Sequence, residues 1–267
     1  MIITIGNQKG GVGKTITTVF LSQFYAFIKK MRVLLIDLDP QANGTTSLIP
    51  YEGSPTMMEL IAQSLPASEA IRPTSIENLF IIPAAREPLD FLKVYMVSKP
   101  DAPVYIKDVI EENRLEENFD LILIDTHPDL DMMTASAFVA SHFVVVPTEA
   151  EKFASDGFTE LFKTISKLPK TTHTDVQILG VFINRYEKRT RLSKAIIDSY
   201  KHGINDLFME NHIRRNVSIA ECVTKRLNLF TYDPAGNGAQ DFASVGDELL
   251  RRLVQKGHLL PQSVVVA

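Results

Sequence analysis

Gly6-Asn7-Gln8-Lys9-Gly10-Gly11-Val12-Gly13-Lys14-Thr15 is the stretch whose reading decides the fold. It follows a short apolar run, Ile2 to Ile5, and opens a helical pattern over residues 13–30 in which Val19, Phe20, Phe24 and Phe27 line one side. A glycine-rich turn between a strand and a helix lets backbone N–H groups converge on a phosphate, and the helix N-terminus adds partial positive charge. In such a loop the lysine reaches the terminal phosphates and the following hydroxyl binds Mg²⁺. Here those residues are Lys14 and Thr15. The usual phosphate-loop spacing, G-x-x-x-x-G-K-[ST], wants glycine at position 8, where this chain has Gln8 with Lys9 beside it. A plain glycine-rich turn with two surface lysines does not account for the order strand, loop, helix.

The next apolar run, Val33-Leu34-Leu35-Ile36, is continuous, as expected of a strand buried on both faces of a parallel sheet. It ends in Asp37-Leu38-Asp39-Pro40-Gln41. Carboxylates at the C-terminal end of a parallel strand point into the ligand crevice, and alternation puts Asp37 and Asp39 on one side if the strand persists. A solvated turn is the alternative for this pair. Residues 42–55 are polar and read as a mobile segment over the ligand. A third run, Phe119 to Ile124, delivers Asp125, which matches a Walker B carboxylate holding Mg²⁺ directly or through water. The alternative is a helix-capping aspartate. His127, Asp129 and Asp131 follow, and such groups are more often local hydrogen-bonding partners than metal ligands.

Strand patterns at 79–82, 143–146 and 178–183 alternate with helical patterns at 57–63, 86–98, 103–115, 153–168, 190–209 and 239–257. Strands alternating with helices of this length indicate an α/β fold of the P-loop NTPase kind, a mostly parallel twisted sheet with helices on both faces. No internal repeat or linker divides residues 1–267, so one P-loop domain is expected. The tail, residues 261–267, reads as frayed.

Composition narrows the function. At 45% hydrophobic and 22% charged residues the chain has the profile of a globular protein. One cysteine, Cys222, excludes an intramolecular disulfide framework and argues against a thiolate cluster. A reducing, cytoplasmic setting is the expectation. No apolar run approaches the roughly 18 residues of a membrane span, and no secretory leader precedes the first strand. Net charge is −4, yet residues 185–226 hold ten Lys/Arg against five Asp/Glu. Such asymmetry suggests an anionic partner. Without a zinc-finger spacing or a helix-turn-helix before the first strand, contact with DNA would be to phosphates and steeply salt-dependent. Lys188, Arg189, Arg191, Arg214, Arg215 and Arg226 are the candidates.

The loop Lys9-Gly10-Gly11-Val12-Gly13-Lys14-Thr15, the run Asp37-Leu38-Asp39-Pro40-Gln41, Asp125, Arg215-Asn216-Val217 and Tyr232-Asp233-Pro234 together resemble the ParA-type partition ATPases of the ParA/MinD family, whose phosphate loop is deviant. The resemblance covers nearly the whole chain, in the form without an N-terminal DNA-reading domain. It implies ATP and Mg²⁺ as cofactors. Gly10, Gly11, Val12, Gly13, Lys14, Thr15, Ile16, Asn184 and Arg215 would bind nucleotide, with Asn184 on the adenine. Thr15, Asp39 and Asp125 would serve the metal. Lys14 and Asp39 would be catalytic, Asp39 by positioning the attacking water, and Lys9 would reach across a homodimer to the partner's ATP. The chain would then be a slow ATPase whose ATP-bound dimer binds DNA nonspecifically, nucleoid-associated, and is released when a ParB-like centromere-binding protein stimulates hydrolysis, with no membrane involved. Two departures stand out. His127-Pro128-Asp129 replaces a Pro-Pro-Ser-like stretch, and Arg214 stands where proline often precedes the Arg-Asn pair. The alternatives are a MinD-like membrane-cycling ATPase, which needs a C-terminal amphipathic helix, and a metabolic ATP-dependent synthetase on the same fold.

Overall fold

The apolar runs become the strands of one sheet. The computed structural model describes residues 1–51, 53, 55–99, 101–150, 161–168, 174–186 and 191–258, with the backbone alone for 191–196 and 199. The strands are β1 (Ile2–Ile5), β2 (Val33–Asp37), β3 (Arg72–Pro73), β4 (Leu79–Ile82), β5 (Leu121–Asp125), β6 (Phe143–Thr148) and β7 (Gln177–Ile183). Their order is β3-β4-β2-β5-β1-β6-β7, parallel except for β3. The two-residue β3 sits at the edge, where Pro73, which cannot donate to a ladder, is tolerated.

Helices α1 (Lys14–Gln23), α2 (Asn43–Leu48), α3 (Met57–Ala62), α4 (Arg86–Val97), α5 (Tyr105–Glu112), α6 (Leu115–Asn118), α7 (Met132–Ala140), α8 (161–168), α9 (Arg191–Ile204), α10 (Val217–Lys225), α11 (Leu229–Tyr232) and α12 (Asn237–Gln255) complete the described fold. The continuous strands divide their side chains by pleat. Ile3, Ile5, Val33, Leu35, Leu121 and Leu123 face a core shared with Phe20, Phe24 and α12. Ile2, Leu34, Ile36, Ile122 and Ile124 face the opposite core, beside Met57, Leu92, Ile106 and Met133. Burying each such side chain is worth about 1.5–3 kcal/mol, so an unbroken apolar strand is stabilised from both sides.

The structure differs from the sequence reading in several places. The helix expected over 13–30 keeps its α form only to Gln23, then widens into a π-helical turn over Phe24–Ile28. That turn aims Phe24 and Tyr25 at α12, where the Tyr25 hydroxyl donates to the Gly246 carbonyl at 3.1 Å. The segment expected to be mobile contains α2, with Thr45 and Ser47 buried. Helix α7 escaped notice because Met132–Ala140 is nearly uniformly apolar and buried on most sides, so it lacks an amphipathic period. Of the helix expected over 153–168, only 161–168 lies within the described residues, and the tail 261–267 lies outside them. No described helix is long and apolar enough to cross a membrane.

Gly246 decides how closely α12 approaches the π-helical turn. A Cβ there would sit 2.5 Å from a Phe24 ring carbon. Gly246→Ala is expected to destabilise the fold by about 1–3 kcal/mol in urea unfolding. Gly203→Ala, in α9 with open space around it, is the control and is expected to be neutral or stabilising by up to about 1 kcal/mol.

Candidate functional site

The loop between β1 and α1 carries Gly11 at φ +79° and Gly13 at φ +87°, both left-handed conformations that favour glycine. Gly13 has a second constraint, since a Cβ there would lie 1.9 Å from the Asn184 side-chain nitrogen. Asn184 sits just past β7 and is buried. Its Nδ2 donates to the Val12 carbonyl at 3.0 Å, and its Oδ1 accepts from the Arg185 N–H at 2.9 Å. The residue expected on a base therefore braces the loop from behind. Ile16 packs against the α1 side of the core.

Lys14 opens α1 and is buried, its Nζ donating to the Lys9 carbonyl at 3.2 Å across the loop. Burial lowers its pKa, while the charges of Asp125, Asp39 and Asp129 oppose that shift. Lys9 lies at the rim. Its N–H donates to Asn7 Oδ1 at 3.0 Å, and its Nζ stands 3.9 Å from Glu149 Oε2. Glu149 also holds Arg185 at 3.1 Å.

Beneath the loop, β2 and β5 end side by side, with Asp37 in register with Asp125. Both carboxylates are fully buried. Asp37 accepts from the Thr45 N–H and hydroxyl, each at 2.8 Å, and from the Asp39 N–H at 3.1 Å. Burial nevertheless raises its pKa to about 6. Asp125 accepts from the Thr15 hydroxyl and, on Oδ1, from the Thr18 hydroxyl at 3.2 Å. Burial, and then the charge of Asp37, hold it well above the usual carboxylate range. Its Oδ2 is buried with no hydrogen-bond partner. Gly44 lies in the first turn of α2 at this point, where a Cβ would stand 3.0 Å from Asp37 Oδ2 and 3.6 Å from Asp125 Oδ2. Asp39 is half-buried, accepting from the Gln41 N–H at 2.9 Å.

The structure thus gathers Lys9, Gly10, Gly11, Val12, Gly13, Lys14, Thr15, Asp39, Asp125 and Asn184 around one loop. It adds Asp37, Thr18, Thr45 and Glu149. Asp37 was visible in the Asp-Leu-Asp run; the other three carry no local signal, because their roles come from elements distant in sequence. Among the described residues no cluster of three His, Cys, Asp or Glu side chains has the geometry to hold a metal alone.

The basic candidates separate. Lys188 and Arg189 lie outside the described residues, and Arg191 starts α9 with its side chain outside the description. Arg214 forks its guanidinium onto Asp241, with contacts of 2.6, 2.9 and 3.1 Å, while its side chain stays partly exposed. Such a bidentate pair needs a carboxylate on α12, which the charge count could not foresee. Arg226 caps α10 and donates to the Thr46 carbonyl at 2.8 Å, while Arg215 is exposed.

Comparison with known proteins places this geometry in context. A family model described as an AAA domain matches residues 1–178. The chain is similar to the sporulation initiation inhibitor protein Soj of Bacillus subtilis, 34% identical over 93% of this chain and 97% of the relative. It is 32% identical to the chromosome-partitioning ATPase Soj of Treponema pallidum, over 92% of this chain and 95% of the relative. A solved structure titled cobyrinic acid a,c-diamide synthase from Mycobacterium smegmatis, with bound ATP analog and magnesium, superposes with TM-score 0.82 at 27% identity over 97% of both chains.

The buried carboxylate pair has a stability signature. A carboxyl whose folded pKa is raised destabilises the fold progressively as pH climbs above its unfolded value, near 4. Asp125→Asn keeps an acceptor for Thr15 and Thr18 and removes the repulsion with Asp37. The ligand-free variant is expected to melt about 2–4 °C higher at neutral pH, with the gain disappearing below about pH 4, as followed by circular dichroism.

Proposed function

Because this chain belongs to the ParA/MinD family of ATPases with a deviant phosphate loop, we propose that it is a DNA-partition ATPase whose ATP-bound dimer holds DNA nonspecifically until a partner triggers hydrolysis. The observation that carries the reading is the unpartnered buried oxygen of Asp125 beside Thr15, at the foot of the loop that Lys14 spans.

The chain hydrolyses ATP with Mg²⁺. An inward-facing carboxylate oxygen with no donor fits a cation, and Mg²⁺ commonly takes one or two carboxylates and completes its shell with phosphate and water. Thr15 and Asp125 would hold the ion, which when bound neutralises charge on the β- and γ-phosphate oxygens. Lys14 would leave the Lys9 carbonyl for those same phosphates. Asp39, anchored through its own N–H to Asp37, would orient the attacking water. Phosphoryl transfer spreads negative charge over oxygens, so positioned cations do most of the work. Lys9 would supply one from the partner subunit, making full activity conditional on dimerisation. Arg215 and Arg226, with Lys188, Arg189 and Arg191, would contact DNA phosphates.

Membrane cycling through α12 is disfavoured, since Phe242, Val245, Leu249, Leu250 and Leu253 are buried in the core. The likeness to a structure titled as a synthase supports the metabolic alternative only as far as shared fold. The test is ATP-dependent retention on DNA. Wild type is expected to bind in ATP, with affinity falling roughly as the 0.9 power of salt per phosphate contacted, and Lys14→Ala is expected to be released. Equal retention of both, or of neither, overturns the DNA-partition reading.

Lys9→Ala separates binding from turnover. It is expected to keep ATP affinity within a few-fold, to lose about 10²-fold or more in stimulated hydrolysis, and to weaken the ATP-bound dimer in analytical ultracentrifugation. Normal stimulated turnover would remove the partner-lysine model.

A further inference from the structure

The six residues between β5 and α7 are built around one imidazole. His127 is 4% exposed. Its Nδ1 accepts the Asp129 N–H at 2.9 Å, so the ring proton sits on Nε2, which donates to Asp131 Oδ2 at 2.9 Å. The other oxygen of Asp131 accepts the Thr134 N–H at 3.1 Å and caps α7. The Thr134 hydroxyl returns to the Asp129 carbonyl at 2.8 Å. Lys93 of α4 stands 3.6 Å from the same Asp131 Oδ2. Upstream, the Thr126 hydroxyl donates to the Ile5 carbonyl of β1 at 3.0 Å. The loop is closed on itself, on the sheet and on two helices. It faces the phosphate loop, since a Cβ at Gly10 would lie 3.9 Å from the Pro128 ring.

We propose that His127 is a positioning residue for ATP hydrolysis: it holds the loop after Asp125 in one shape against the phosphate loop and, through Asp131 and Lys93, ties that shape to α4. The role needs an imidazole, because a flat ring offers an acceptor and a donor at a fixed separation. Removing the ring leaves the Asp129 N–H without its acceptor and frees Asp131 to follow Lys93. The segment that sets Asp125 relative to the phosphates then loses its brace, while the phosphate loop that binds ATP keeps its own contacts to Asn184. The two functions therefore separate. Hydrolysis depends on the clamp, and ATP affinity depends mainly on the loop. The inference rests on Asp125 serving the metal as proposed above.

The experiment compares kcat, KM for ATP and melting temperature for His127→Ala, His127→Gln, His127→Asn and Lys93→Met. His127→Ala is expected to lower kcat about tenfold with KM changed less than about twofold. Gln, long enough to reach Asp131, is expected to recover most of the rate, and Asn, which keeps only the acceptor toward Asp129, is not. Adding Lys93→Met to His127→Ala is expected to cost nothing further, since both act through Asp131. Wild-type kcat in His127→Ala, equal rates for Gln and Asn, or multiplying effects of the His127 and Lys93 changes would overturn the proposal. If His127→Ala fails to fold, the Gln–Asn comparison decides alone. Asp125→Asn, run alongside, separates the two readings. Full hydrolysis there defeats the metal assignment, whereas its loss beside an unaffected His127→Ala defeats only the clamp.

Discussion

Two carboxylates buried side by side at the ends of adjacent parallel strands form the constraint on which the rest of the structure depends. Asp37 and Asp125 are in register, and both are withdrawn from water. Burying one carboxylate is costly, and burying two as neighbours is worse, because like charges raise each other's energy. The surroundings answer with donors. Thr45 gives Asp37 two hydrogen bonds, the Asp39 backbone gives a third, and Thr15 and Thr18 serve Asp125. Helix α2 places Thr45 on Asp37, and Gly44 in its first turn leaves little room beside the pair for a Cβ. One oxygen of Asp125 is left without a donor. A magnesium ion bound there with a triphosphate would supply the missing positive charge.

The phosphate loop closes over this pair and is braced from three sides. Asn184 holds the Val12 carbonyl from the end of β7, Lys14 crosses to the Lys9 carbonyl, and Pro128 approaches Gly10 from the loop after β5. The braces from Asn184 and Pro128 come from the ends of two other strands, β7 and β5, as the crevice at the C-terminal edge of a parallel sheet allows. Charge is distributed in the same spirit. Arg214 is paired with Asp241, a carboxylate outside the 185–226 segment, so part of that segment's positive charge is already balanced within the fold.

The strands were legible because residues buried on both faces of a sheet are mostly apolar: Val33–Ile36, Leu79–Ile82 and Leu121–Ile124 are unbroken apolar runs, and β1 is interrupted only by Thr4, whose hydroxyl is hydrogen-bonded. The phosphate loop was legible because positive φ and close approach exclude most side chains, leaving glycine as a local mark. Helix α7 was not, since a helix buried on most sides has no polar face to reveal its period. The π-helical turn after Gln23 was not, since it answers to Gly246 on α12, more than two hundred residues away.

His127 marks the boundary between the two kinds of knowledge. Its sequence neighbours, Asp129 and Asp131, read as local hydrogen-bonding groups rather than metal ligands, without saying which ring nitrogen each would meet. The fold turned it into the hub of a clamp, because the course of the chain brings the Asp129 N–H to one ring nitrogen and Asp131 to the other. The amino-acid sequence by itself determined the parallel sheet, the phosphate loop and the carboxylates at the strand ends, since these depend on local chemistry at fixed spacing. Only the tertiary structure decided which carboxylate keeps an unpaired oxygen, which arginine pairs with Asp241, and what His127 holds. The first two depend on partners that the chain brings together from distant positions, the third on how a short loop folds back on its own imidazole, and a buried polar group takes its role from the partner it finds.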